Sequence, residues 1–190
     1  MTVAETVKVL GICGSLRAGS YNAAALRVAQ KMAPQGVSVD IAEIGDLPHY
    51  DDDLRVAGWP APVARLRAQV AAADAILFSS PEYNYSVPGV LKNAIDWVSR
   101  PPDQPFAGKP AAILGASPGM LGTVRMQYHL RQIMVFLDMK TINKPEVMIG
   151  HCAERFDANG ELTHAPTREL IVKLLESLRD WTRRLQRGAA

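Results

Sequence analysis

Two short segments carry the residues whose types and spacing could do chemistry. The first is Gly14-Ser15-Leu16-Arg17-Ala18-Gly19-Ser20-Tyr21-Asn22. It sets two hydroxyls and one guanidinium in a turn that leads into a helix. Ser15 and Ser20 can donate to phosphate oxygens, and Arg17 can pair with a dianion through its planar fork. The first backbone N–H groups of the helix, around Asn22, have no intrahelical partner and face the same point. The glycines do not follow the G-x-G-x-x-G spacing of a pyrophosphate turn, and no Gly-Lys-Ser/Thr is present for a triphosphate loop. A single phosphate fits best.

The second segment is Pro81-Glu82-Tyr83-Asn84-Tyr85-Ser86-Val87-Pro88-Gly89-Val90-Leu91-Lys92-Asn93-Ala94-Ile95-Asp96-Trp97. Two prolines and a glycine stiffen it where a plain strand-to-helix connection would be short and small. The backbone at 82–84 offers N–H groups to the edge of a flat heteroaromatic ring. Tyr83 and Tyr85 present amphipathic faces, and Asn84 can satisfy a donor and an acceptor together. Glu82 is expected to act through its backbone, with its carboxylate in solvent. Lys92 and Asp96, four apart, are expected to pair on a helix surface. Leu91, Ile95 and Trp97 read as packing or subunit contact.

The elements that position these segments alternate. Val7 to Cys13 reads as a strand buried on both faces, followed by a helix over Asn22–Met32. Val37 to Ile41 is a second strand. An irregular stretch follows from His49 to Ala61, then a helix over Pro62–Ala72, with proline acceptable in its first turn. Ala75–Ser79 is the third strand, and a helix runs from Gly89 to Val98. Ala111–Ala116 is the fourth strand, with its exit loop at Ser117–Gly122 and a helix over Thr123–Asp138. A weaker fifth strand lies near Glu146–Ile149, and the last helix covers Thr167–Leu185. Five βα units in a row predict an α/β three-layer sandwich: a five-stranded parallel sheet covered by helices on both faces, in one domain over 1–190. Of the doubly wound orders, the flavodoxin-like 2-1-3-4-5 puts a phosphate turn after strand one beside a loop after strand three. That switch point is where FMN is held.

Composition narrows the function classes. Of 190 residues, 48% are hydrophobic and 21% charged, as in a globular protein. The net charge of +2 is too small to argue for a nucleic-acid or membrane surface. No apolar run is long enough to span a membrane, and Met1 to Thr6 has no signal-peptide pattern. The two cysteines, Cys13 and Cys152, suit a reducing compartment, so a cytoplasmic location is expected. His49, His129, His151 and His164 have no metal-ligand spacing.

With both loops in view, the chain resembles the NADPH-dependent FMN reductase family, and within it the bacterial chromate/quinone reductases. A third matching piece is Ser117-Pro118-Gly119-Met120-Leu121-Gly122. The resemblance implies FMN as cofactor and NADPH or NADH as hydride donor. It places Ser15, Arg17, Ser20, Tyr21 and Asn22 on the FMN phosphate. Pro81, Glu82, Tyr83 and Asn84 would line the isoalloxazine edge and ribityl chain, and Ser117 and Gly119 would touch the flavin from the fourth strand's loop.

The cofactor carries the chemistry in such enzymes, so no acid, base, nucleophile or metal is assigned to the protein. An open ring face implies ping-pong exchange with small-molecule electron acceptors: quinones, flavins, azo compounds or chromate-type oxyanions. Arg17, Arg100 and Arg125 are candidates for the 2′-phosphate of NADPH. The mixed Arg, Tyr and Met face of the 123–138 helix, like the family, suggests a homodimer or homotetramer. A competing reading is a flavodoxin-type electron carrier, or a flavin sensor, that docks with a protein partner. The slightly basic charge disfavours it.

Overall fold

The computed structural model describes residues 5–188; Met1 to Ala4, where the targeting-segment reading begins, and 189–190 lie outside the described residues. The strands are β1 (Val7–Cys13), β2 (Val37–Ala42), β3 (Ala75–Ser79), β4 (Pro110–Ala116), β5 (Lys140–Thr141) and β6 (Val147–Ile149). The helices are α1 (Tyr21–Lys31), α2 (Asp52–Ala57), α3 (Ala61–Ala72), α4 (Gly89–Val98), α5 (Val124–Phe136) and α6 (Ala165–Gly188). All pairings are parallel, in the order β2-β1-β3-β4-β5, and β6 also pairs with β4.

The expected order is present, with one refinement. The fifth position is shared by two short strands: β5 pairs with Pro110 and Ala111, and β6 with Leu114 to Ala116. Asn143, Lys144 and Pro145 lie between them. Proline has no N–H for a ladder, so an interruption there follows.

β3 and β4 are buried along their whole length, which is why they read as unbroken apolar runs. One face packs under α1 and α6, with Leu26, Leu77, Leu174 and Leu178 in its core. The other packs under α3, α4 and α5, around Leu66, Phe78, Ile95 and Met126.

The stretch 49–61, irregular by its sequence, contains the helix α2. Asp51 caps α2 by accepting from the Asp53 N–H at 2.9 Å, and Gly58, at φ 135°, ends it. The second half of the 81–97 segment holds this region. The Asn93 carboxamide accepts from Tyr50 N at 2.7 Å and donates to the Pro48 carbonyl at 2.8 Å. The Trp97 indole donates to the same carbonyl at 2.8 Å and is fully buried, with the Tyr50 ring edge-on at 5.0 Å. Lys92 and Asp96 form the expected surface pair, at 2.7 Å.

Candidate functional site

The carboxyl ends of β1, β3 and β4 are knit into one edge. Gly14 N donates to Ser79 O at 2.8 Å, and Ser80 N to Leu114 O at 3.2 Å. A side chain at Gly14 would collide with that of Ser80, so only glycine lets the two exits approach this closely.

Asn22 fastens the edge across the sheet. Its Nδ2 donates to Ala116 O at 3.0 Å and its Oδ1 accepts from Ala116 N at 2.8 Å, both bonds buried. The carboxamide therefore mimics a strand's backbone pairing. The backbone N–H of Asn22, not its side chain, is what remains for a phosphate.

The turn at 14–20 is sparsely bonded. Ser20 is the N-cap of α1 and its hydroxyl accepts from Ala23 N at 3.3 Å, leaving its hydrogen free to donate. Ser15 Oγ accepts from Arg17 N at 3.4 Å. The Arg17 side chain is exposed, lies 5.5 Å from the Tyr21 ring centroid, and has no carboxylate partner among the described residues. α1 carries no acid in its first turn. The N–H groups of Tyr21 and Asn22 precede Ala24 N, the first intrahelical donor, which bonds Ser20 O at 3.0 Å. Unspent donors, one free cation and a helix dipole with no acid against it fit an anion of phosphate size.

The loop after β3 is built in the opposite way. Tyr83 and Ser86 exchange backbone bonds of 3.1 and 2.9 Å around Asn84 and Tyr85. Those two residues have φ of 50° and 64°, so the turn is of the I′ kind without a glycine. Left-handed backbone at a non-glycine residue costs on the order of 1 kcal/mol or more, and more for Tyr than for Asn. External contacts hold the turn there. The Arg125 guanidinium stacks 3.9 Å from the Tyr85 ring centroid, and His129 Nδ1 lies 3.0 Å from Ser86 Oγ.

Glu82 corrects the sequence reading. Its carboxylate is not in solvent: Oε2 accepts from the backbone N–H of Arg125 at 3.0 Å and of Met126 at 3.1 Å, and Oε1 pairs with Arg125 Nη1 at 3.2 Å. The helix needs such a partner, since α5 has neither an acid in its first turn nor a side-chain cap bond from Thr123. The partners Arg125 and His129 were not assigned to this loop from sequence.

Ser117 and Gly119 sit in the exit loop of β4. Ser117 N donates to Ile149 O at 3.0 Å, and Ser117 Oγ accepts from Gly119 N at 3.3 Å. Leu16, Met120, Leu121, Tyr83 and Tyr85 are exposed apolar groups on the loops that follow β1, β4 and β3.

Burial pushes the thiols of Cys13 and Cys152 up from their ordinary value, so neither is a ready thiolate nucleophile. No group of three or more His, Cys, Asp or Glu among the described residues could hold a metal. No helix among them is long and apolar enough to cross a membrane. Two of the three candidate arginines are engaged: Arg125 as above, and Arg100 with Asp96 O at 2.9 Å and Ser99 Oγ at 3.0 Å.

Comparison with known proteins fits this geometry. Residues 7–154 match the model of the family described as NADPH-dependent FMN reductase. An NAD(P)H-dependent FMN reductase of Pseudomonas aeruginosa is 57% identical, covering 97% of this chain and 100% of the relative. A quinone reductase of Escherichia coli is 44% identical, covering 97% and 100%. The solved structure of a flavoenzyme NAD(P)H:(acceptor) oxidoreductase from Paracoccus denitrificans superposes with a TM-score of 0.85 at 38% identity, covering 94% of this chain and 98% of that one. A turn with unspent donors and a braced aromatic loop leave neighbouring strands of a 2-1-3-4-5 sheet, and this chain belongs to the NADPH-dependent FMN reductase family.

Proposed function

We propose that this protein is an FMN-dependent NAD(P)H oxidoreductase that reduces quinones and related small acceptors. The observation that carries the reading is the convergence of two unlike loops on one sheet edge. The turn at 14–20 offers unspent donors and a free cation; the loop at 81–86 offers a braced aromatic surface. Bound there, FMN would supply the redox chemistry, two-electron transfer between a nicotinamide and the acceptor.

The protein's own work is binding and orientation. Arg17, the hydroxyls of Ser15 and Ser20 and the N–H groups of Tyr21 and Asn22 hold the phosphate. The Tyr83 N–H is spent on Ser86 O, so the N–H groups of Glu82 and Asn84 are the ones left to meet the ring edge and ribityl chain, with Pro81, Ser117 and Gly119 lining the site. The exposed rim of Leu16, Met120, Leu121, Tyr83 and Tyr85 gives flat apolar acceptors a surface to cover. A rim so open selects weakly, which supports azo compounds, free flavins and chromate-type oxyanions as further acceptors. Donor and acceptor take turns at one face, giving ping-pong kinetics.

Self-association into a homodimer or homotetramer is part of the reading. Val135 and Phe136, at the end of α5, are 81% and 83% exposed. Adjacent apolar side chains so exposed are suited to cover by a second copy. Two free, buried cysteines are compatible with a reducing cytoplasm.

The test is direct. Purified protein, supplied with FMN, is mixed anaerobically with NADPH. The flavin absorbance near the visible maximum should bleach, and a quinone should restore it. A flavin that stays oxidised would remove the reductase reading.

A further inference from the structure

Glu82 lies in the loop read above as the flavin platform, yet its carboxylate points away from solvent into the start of α5. The side chain is 10% exposed. Its Oε2 accepts from the second and third N–H groups of that helix, at 3.0 and 3.1 Å. This is what an N-cap side chain does, but it comes from a residue more than 40 positions upstream. The helix has no cap of its own. Thr123 makes no cap bond, and its hydroxyl accepts from Gln127 Nε2 at 3.1 Å instead.

The same carboxylate, through Oε1, holds the Arg125 guanidinium that stacks on Tyr85. One buried group thus grips the base of the 83–86 turn directly and its tip through Arg125. The turn needs such a grip, because Asn84 and Tyr85 both sit in left-handed backbone. Strained conformations persist where surrounding structure over-determines them.

We infer that Glu82 is a positioning residue for the flavin: by capping α5 it locks the Tyr83–Ser86 turn in the shape that receives the ring. The inference rests on the flavin-site reading. It assigns to the carboxylate a task separate from the backbone contacts of the same residue. α5 becomes the brace of the platform, so flavin affinity depends on a helix start that need not touch the flavin.

The experiment measures the FMN dissociation constant of the holoprotein from the fluorescence of released flavin on dilution. Three variants are compared with the parent at a temperature where all are folded. Glu82→Ala is expected to weaken FMN about tenfold or more, the scale of losing a charged, buried hydrogen-bonding group. Glu82→Gln keeps an oxygen for the two N–H groups and should stay within about threefold of the parent. Gln127→Ala loosens α5 from within, by removing bonds to Thr123 Oγ1 and Val147 O, without touching the loop. It should lower the melting temperature and leave FMN affinity within about threefold, since the loop's own partners are intact.

The inference is overturned if Glu82→Ala binds FMN like the parent, if Glu82→Gln is as impaired as Glu82→Ala, or if Gln127→Ala weakens FMN as much as Glu82→Ala. A parent protein that shows no flavin absorbance with FMN added fails differently: it removes the flavin reading before Glu82 is reached.

Discussion

The two loops proposed to hold the flavin at the carboxyl edge are built in opposite ways. The turn at 14–20 leaves its donors unspent. Arg17 is exposed and without a carboxylate partner among the described residues, and the first N–H groups of α1 have no intrahelical acceptor. The loop at 81–86 spends nearly everything on its own support, with Glu82, Tyr85 and Ser86 all engaged by α5. An anion is recognised by charge and N–H direction, so its site can stay open until the ligand completes it. A flat ring is recognised by shape, so its platform must be rigid beforehand. Substitutions in the first loop should therefore change affinity alone, while those in the second should change affinity and stability together.

The largest effect tests what both loops share. Asn22→Ala removes two buried bonds and strands the Ala116 N–H and carbonyl. A loss of about 2–4 kcal/mol in folding stability is expected, read by chemical denaturation. A loss below ~1 kcal/mol would mean the edge closes without that clasp. Next is Arg17→Ala. FMN affinity should fall by about 1.5–3 kcal/mol by fluorescence titration, with the denaturation midpoint unmoved. A midpoint that falls with affinity would erase the contrast between the loops.

Arg125→Ala probes the braced side more gently. Glu82 keeps two backbone donors, so only the partly exposed ion pair and the stack on Tyr85 are lost. About 1 kcal/mol of stability should go, and FMN binding should weaken with it. The smallest effect is Lys92→Ala, which removes an exposed pair on α4 and should cost about 0.3 kcal/mol with no change in FMN affinity. A larger change there would show that α4's surface takes part in the site.

Sequence alone made the strand order and both loops legible because both depend on local pattern. Buried strands read as apolar runs, and hydroxyls, glycines and prolines mark the turns between them. The side-chain partners of Asn22 and Glu82 escape the sequence for one reason. The Glu82 carboxylate reads as solvated and the Asn22 carboxamide has no evident task, yet each is spent on an element far along the chain, Ala116 for Asn22 and the start of α5 for Glu82. Nothing near them in sequence announces that partner. α2 is not legible although Asp51 and Gly58 flank it, because six residues give too short a period to see. The double fifth strand was half seen: Val147 to Ile149 is apolar, whereas Lys140 and Thr141 form strand only because Pro110 and Ala111 lie alongside.

The clasp between Asn22 and Ala116 joins positions 94 apart in the chain. Contacts of such separation form late in folding, after the intervening segment has closed its loop. During synthesis the phosphate turn emerges early, with β1 and α1, but its helix start is not fixed until β4 has joined the sheet. Holding the flavin is therefore a property the nascent chain acquires late. It is tied to completion of the sheet rather than to the appearance of the residues proposed to grip the phosphate.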